Sequence, residues 1–96
     1  MKIVLRRLAK LDLREARNWY DERQPGLGDA LLDEVEAALE QIRELPELHP
    51  RVDGRIRRAA LQRFPYGLFY VVDGETIRVI AILHGARSPE SWRRRR

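Results

Sequence analysis

The sequence predicts an α+β domain in the order β-α-α-β-β-β, with a helical hairpin packed on one face of a small antiparallel sheet. Three observations predict it. Apolar residues recur every three to four positions in two stretches separated only by a Pro-Gly break. Apolar runs of strand length flank Asp73-Gly74. No stretch approaches the roughly 20 apolar residues that a membrane helix needs.

Lys2 to Leu5 is short and β-leaning, an expected edge strand. From Leu8 to Arg23, Ala9, Leu13, Ala16 and Tyr20 mark one helical stripe, with Trp19 beside them and assigned to core packing. Pro25-Gly26 stops that helix and Gly28-Asp29 helps to start the next. Leu27, Leu31, Val35, Ala38, Leu39, Ile42 and Leu45 then line the buried side of a second helix, which Pro46 ends. The short loop between two apolar-faced helices implies an antiparallel pair.

Residues 47–54 read as a connector, and strands are expected at about 56–64, 66–72 and 77–83. Asp73-Gly74 as the two turn residues sets Val72 against Glu75, Tyr70 against Ile77 and Leu68 against Val79. Ile77, Val79, Ala81 and Leu83 should then face the helices with Tyr66, Leu68, Tyr70 and Val72. The other face, with Phe69, Val71, Ile80, Ile82 and His84, is too apolar to lie in water. The C-terminal segment, a second copy or a partner should cover it. Continued past Pro65, this register brings His84 opposite Arg63.

Residues 1–92 read as one domain and 93–96 as a basic tail, either a frayed end or a phosphate contact. The 96 residues carry a net charge of +4, unevenly spread. Residues 1–48 hold 8 Lys+Arg against 11 Asp+Glu, and residues 49–96 hold 11 Arg against 4 Asp+Glu. The basic half should attract anions, and arginine forks onto phosphate or carboxylate as lysine cannot. The absence of cysteine fits a reducing, cytoplasmic setting, and two distant histidines argue against a metal site. No cofactor is expected.

Several motifs recur in a family-like order: Ala9, Asp12-Leu13, Ala16 and Trp19-Tyr20, then Pro25-Gly26-Leu27-Gly28, Pro46 and Pro50. Arg63-Phe64-Pro65-Tyr66 with Tyr70 follows, and finally His84, Arg87 and Trp92. This series, spanning nearly the whole chain, resembles the RelE/ParE superfamily of bacterial toxins. The resemblance implies the toxin half of a type II toxin–antitoxin, or plasmid stabilisation, module, bound and neutralised by a cognate antitoxin. It implies one of two targets: DNA gyrase, poisoned by ParE-like members, or ribosome-bound mRNA, cut by RelE-like members. A third class is a non-toxic partner- or nucleic-acid-binding module of the same fold. Homodimer and toxin–antitoxin heterotetramer both fit, and no membrane is involved.

For metal-independent RNA cleavage by 2′-hydroxyl attack, the resemblance nominates His84 as base or acid, with Arg58, Arg63 and Arg87 as phosphate clamps. Arg57, Arg58, Arg63, Arg78, Arg87 and Trp92 are the expected target or nucleic-acid contacts. The chain departs from the RelE pattern. Gly67 follows the strand tyrosine where an arginine is expected, Ala60 replaces a lysine, and Trp92 replaces a terminal tyrosine. His84 also reads as a hydrogen-bonded strand-end residue and Arg87 as an ion-pairing one, while His49 carries no expected chemistry.

Overall fold

The computed structural model describes residues 1–95. Its elements are β1 (Lys2–Leu5), α1 (Arg7–Arg23), α2 (Leu27–Glu44), β2 (Arg51–Asp53), β3 (Ile56–Ala60), β4 (Tyr66–Asp73), β5 (Thr76–His84) and α3 (Glu90–Arg93). The sheet runs β1-β5-β4-β3-β2. No helix among the described residues is long and apolar enough to cross a membrane.

Both long helices follow the apolar spacing, except that Leu45 lies past the end of α2 and is exposed. Ala9 and Ala16 on α1, and Leu31, Val35 and Ile42 on α2, are buried against Leu68, Tyr70, Ile77 and Val79 of the sheet. Gly26 makes the tight turn between the helices with φ +94°, a conformation that side chains with a Cβ resist. Gly28 then allows close approach. Its N–H donates to the Asp21 carboxylate at 2.7 Å, and an added Cβ would stand 2.7 Å from the Arg17 carbonyl oxygen. Gly28→Ala is expected to cost about 1–3 kcal/mol by overpacking, outweighing the roughly 1 kcal/mol gained in helix propensity. The check is a urea midpoint that falls while the slope is unchanged.

The sheet corrects four expectations. It is mixed: three pairings are antiparallel, but β1 lies parallel to β5. A short strand, β2, occupies part of the expected connector. β3 ends at Ala60, and Leu61 to Phe64 lead out to Pro65. The hairpin turn is Gly74-Glu75, because Asp73 pairs with Thr76. Only Gly74 there has positive φ, the pattern of a II′ rather than a I′ turn.

The largest departure is a β-bulge on β5. Tyr70 pairs with Val79 but Phe69 pairs with Ala81, so Ile80 is the extra residue. Up to Val79 the expected faces hold. Beyond it they are exchanged: Ala81 and Leu83 join Phe69, Val71, Ile56 and Ile80 on the outer face, and Ile82 turns to the helices. Trp92 covers that outer face, stacked on Phe69 with centroids 4.7 Å apart. Of the three expected covers, it is the C-terminal segment that supplies it.

β1 accompanies β5 only as far as Val79, whose carbonyl accepts the Arg6 N–H. Past that point the edge of β5 is filled by side chains. Ile82 N–H donates to Asp12 at 3.0 Å, and Arg95 donates to the Ile80 carbonyl at 3.2 Å while pairing with Asp12. Within the expected tail, Arg95 is therefore anchored on Asp12, and Arg93 pairs with Asp53 at 3.1 Å. Arg96 lies outside the described residues.

Candidate functional site

The bulge decides where His84 goes. Its extra residue turns the His84 side chain to the helix side of the sheet and, together with the turn at Gly74-Glu75, which moves the register by two, sets it opposite Tyr66 rather than Arg63. The two rings meet edge to face at 5.4 Å. After His84 the chain folds back tightly: Gly85 N–H donates to the Pro65 carbonyl, Ala86 N–H to His84 Nδ1 at 2.9 Å, and Arg87 N–H to the His84 carbonyl. That turn returns Arg87 over the same groove.

The groove encloses about 190 Å³. Asp12, Glu15 and Trp19 form its α1 wall, and Tyr66, His84 and Arg87 form the sheet wall. The α1 residues recur at three and four positions and so share one helix face. Trp19 is 46% exposed, contrary to the expected core role. It stands at the border of the apolar stripe, packs edge to face on Tyr20, and carries the Arg23 guanidinium 3.3 Å above its ring. Burial first, then the neighbouring Tyr20, push the Tyr66 phenol upward, and Arg87 pulls it the other way.

Of the nominated residues, the structure brings only His84 and Arg87 into this groove. Arg58 lies on the opposite face, pairing in register with Phe69. Its side chain crosses β4 at Gly67, where a Cβ would come within 2.7 Å of Arg58 Nε, and reaches Gly85. Gly67 is thus the residue that lets Arg58 pass. Arg63 sits above Phe64, its backbone N–H held by Glu34. Arg57 donates to the carbonyls of Glu47 and His49, bracing the connector. His49 itself bonds Gln41, and burial followed by the Arg57 charge lowers its pKa from the ordinary histidine value. Arg78 pairs with Asp73 near the hairpin turn, six residues from His84, or about 20 Å along the strand. Trp92 is buried in the outer core, so it is no surface contact.

Tyr66, Trp19, Asp12 and Glu15 were the site residues missing from the sequence reading. Tyr66 had a signal, its place after Arg63-Phe64-Pro65, but its pairing with His84 depends on the bulge. Among the described residues, no group of three or more His, Cys, Asp or Glu could hold a metal ion.

With Nδ1 accepting from a backbone amide, the neutral imidazole carries its proton on Nε2. It therefore offers the groove a donor. The arrangement is an open surface with an aromatic wall, one fixed donor, one guanidinium and one exposed carboxylate, Glu15. The carboxylate of Asp12 is taken up by Ile82 and Arg95. Such a surface is suited to recognising another.

Residues 3–89 match the family described as the ParE toxin of the type II toxin–antitoxin system parDE. Among solved structures, the fold is similar to a chain of the chromosomal ParDE TA system from P. aeruginosa. The identity is 21%, the TM-score 0.71, and the likeness covers 88% of this chain and 95% of that one. At that identity it concerns the fold. No curated protein matches.

Proposed function

This chain belongs to the ParE toxin family of type II toxin–antitoxin systems, and on that premise we propose that it is a toxin held by a cognate antitoxin and directed at DNA gyrase. It traps gyrase by protein–protein contact and performs no chemistry of its own. The observation that carries this reading is the make-up of the groove. Metal-independent phosphodiester cleavage needs a base, an acid and cations converging on one phosphate. Here one imidazole, already engaged at Nδ1, stands with a single nominated arginine. By contrast, a half-exposed tryptophan beside tyrosine and arginine is the composition of an interface hot spot.

The test is a supercoiling assay with purified gyrase, run beside a translation assay that follows message integrity. Supercoiling should be blocked with messages intact. Trp19→Ala and Arg87→Ala should each weaken inhibition about 30-fold, the equivalent of losing about 2 kcal/mol at a hot spot. Both side chains are accessible, so the fold should survive. Normal supercoiling together with cut messages, abolished by His84→Ala, would replace this reading with the ribosome-dependent nuclease.

A further inference from the structure

Six cations gather on a second surface, outside the groove. Two depressions adjoin at Arg7. One, of about 540 Å³, lies between the first turn of α1 and the C-terminal segment, lined by Arg6, Arg7, Arg94 and Arg95. The other, of about 450 Å³, continues along α1 past Lys10 and Arg14. Positions 7, 10 and 14 share one helix face and span about 10 Å of its axis.

Elsewhere Arg17 is matched with Asp29, Arg43 with Glu40, Arg78 with Asp73 and Arg93 with Asp53. Arg51 and Arg87, without a carboxylate partner among the described residues, line separate depressions. On this track only Arg95 has a carboxylate, Asp12. Arg6, Arg7, Lys10, Arg14 and Arg94 have none among the described residues. The one acidic residue lining the track, Glu90, faces Arg93 at 3.7 Å. α1 also begins without an acidic residue in its first turn, although cations at that end oppose the helix dipole. So much unneutralised charge of one sign works against folding. It makes sense if a polyanion supplies the missing negative charge.

The chemistry of the track selects the polyanion. Five of its six cations are arginines, which fork onto phosphate oxygens. A protein partner would call for aromatic anchors, and a single strand for stacking rings. The lining has neither, and the exposed aromatics stand in the other groove. Duplex RNA is recognised by its A-form shape and by contacts to 2′-hydroxyls across a wide, shallow minor groove, and for such contacts the lining offers one hydroxyl, that of Ser91. We propose that this track binds the phosphate backbone of duplex DNA without reading its sequence, so that the toxin carries a DNA contact separate from its protein-binding groove.

The experiment titrates the whole protein against a fluorescein-labelled DNA duplex of arbitrary sequence, by anisotropy at several salt concentrations. Neutralising about five phosphates should give a log–log salt slope near −4.5, or about a 500-fold loss of affinity between roughly 50 and 200 mM salt. The triple variant Arg7→Gln, Lys10→Gln, Arg14→Gln should flatten the slope by about 2.7. A control with the same charge change, Arg43→Gln, Arg51→Gln, Arg63→Gln, should keep it, with both triples verified as folded by circular dichroism. Equal weakening by the two triples would reduce the effect to net charge and overturn the proposal. So would tighter binding of a single strand, a duplex RNA or polyglutamate of equal charge. The readout is independent of gyrase, so it stands or falls separately from the toxin's target.

Discussion

Asp12→Ala is expected to lower stability by about 3 kcal/mol, the largest loss from any single polar side chain here. The Asp12 side chain is 9% exposed and that of its partner Arg95 is 17%. One carboxylate oxygen takes both Ile82 N–H and Arg95 Nη1, and the other meets Nη2 at 3.4 Å. Removing it orphans a strand amide, which costs about 1–3 kcal/mol alone, and strips the partner from a largely buried guanidinium. Arg95 can swing toward water, which holds the total near the lower end of the range for a broken buried pair. The melting temperature should fall by about 12 °C or more. Asp12→Asn keeps an acceptor for Ile82 and should recover about half of the loss. A thermal melt of Asp12→Ala within about 2 °C of the wild type would sink this account of the β5 edge.

Trp92→Ala is expected to cost about 3–4 kcal/mol, in the range for truncating a large aromatic in a core. Trp92 is 6% exposed and closes the outer cluster of Ile56, Phe69, Val71, Ile80, Ala81 and Leu83. α3 is a four-residue turn, too short to persist without this anchor. Its loss should bare the outer face and raise binding of a hydrophobic dye. The chain has two tryptophans, so the remaining emission would come from Trp19 alone. That emission should shift to the red, because Trp19 is 46% exposed. Trp92→Phe keeps the stack on Phe69 and should retain most of the stability. A dye-silent Trp92→Ala with an unchanged denaturation midpoint would contradict the second core.

The helices were legible because their signal is local. Ala9, Ala16, Leu31, Val35 and Ile42 recur at helical spacing, and all five are buried where that spacing puts them. The faces of β4 were legible because a regular strand from Tyr66 to Val72 turns successive residues to opposite sides. The β5 bulge was not. An extra residue among Val79, Ile80 and Ala81 leaves no mark in a run where every residue is apolar, yet it moved His84 to the other side of the sheet. The parallel pairing of β1 with β5 is equally silent, since nothing in Lys2 to Leu5 names a partner more than 70 residues away. The basic track was hidden by averaging. Summed over residues 1–48 the chain is acidic, although Arg6, Arg7, Lys10 and Arg14 stand together at its start. Among the nominated cations, Arg57 and Arg78 were lost to ordinary work, one bracing a connector and the other pairing beside a turn.

The clasp between Asp12 and Arg95 joins residues 83 positions apart. At the usual pace of protein synthesis, about 5–20 residues per second, its two halves leave the ribosome several seconds apart. The first strand likewise waits for the last. Nascent chains can form the helical pair early, but the groove requires Trp19, Tyr66 and Arg87 at once. The groove can therefore assemble only once Arg87 has emerged, and the clasp that braces its α1 wall only once Arg95 has followed.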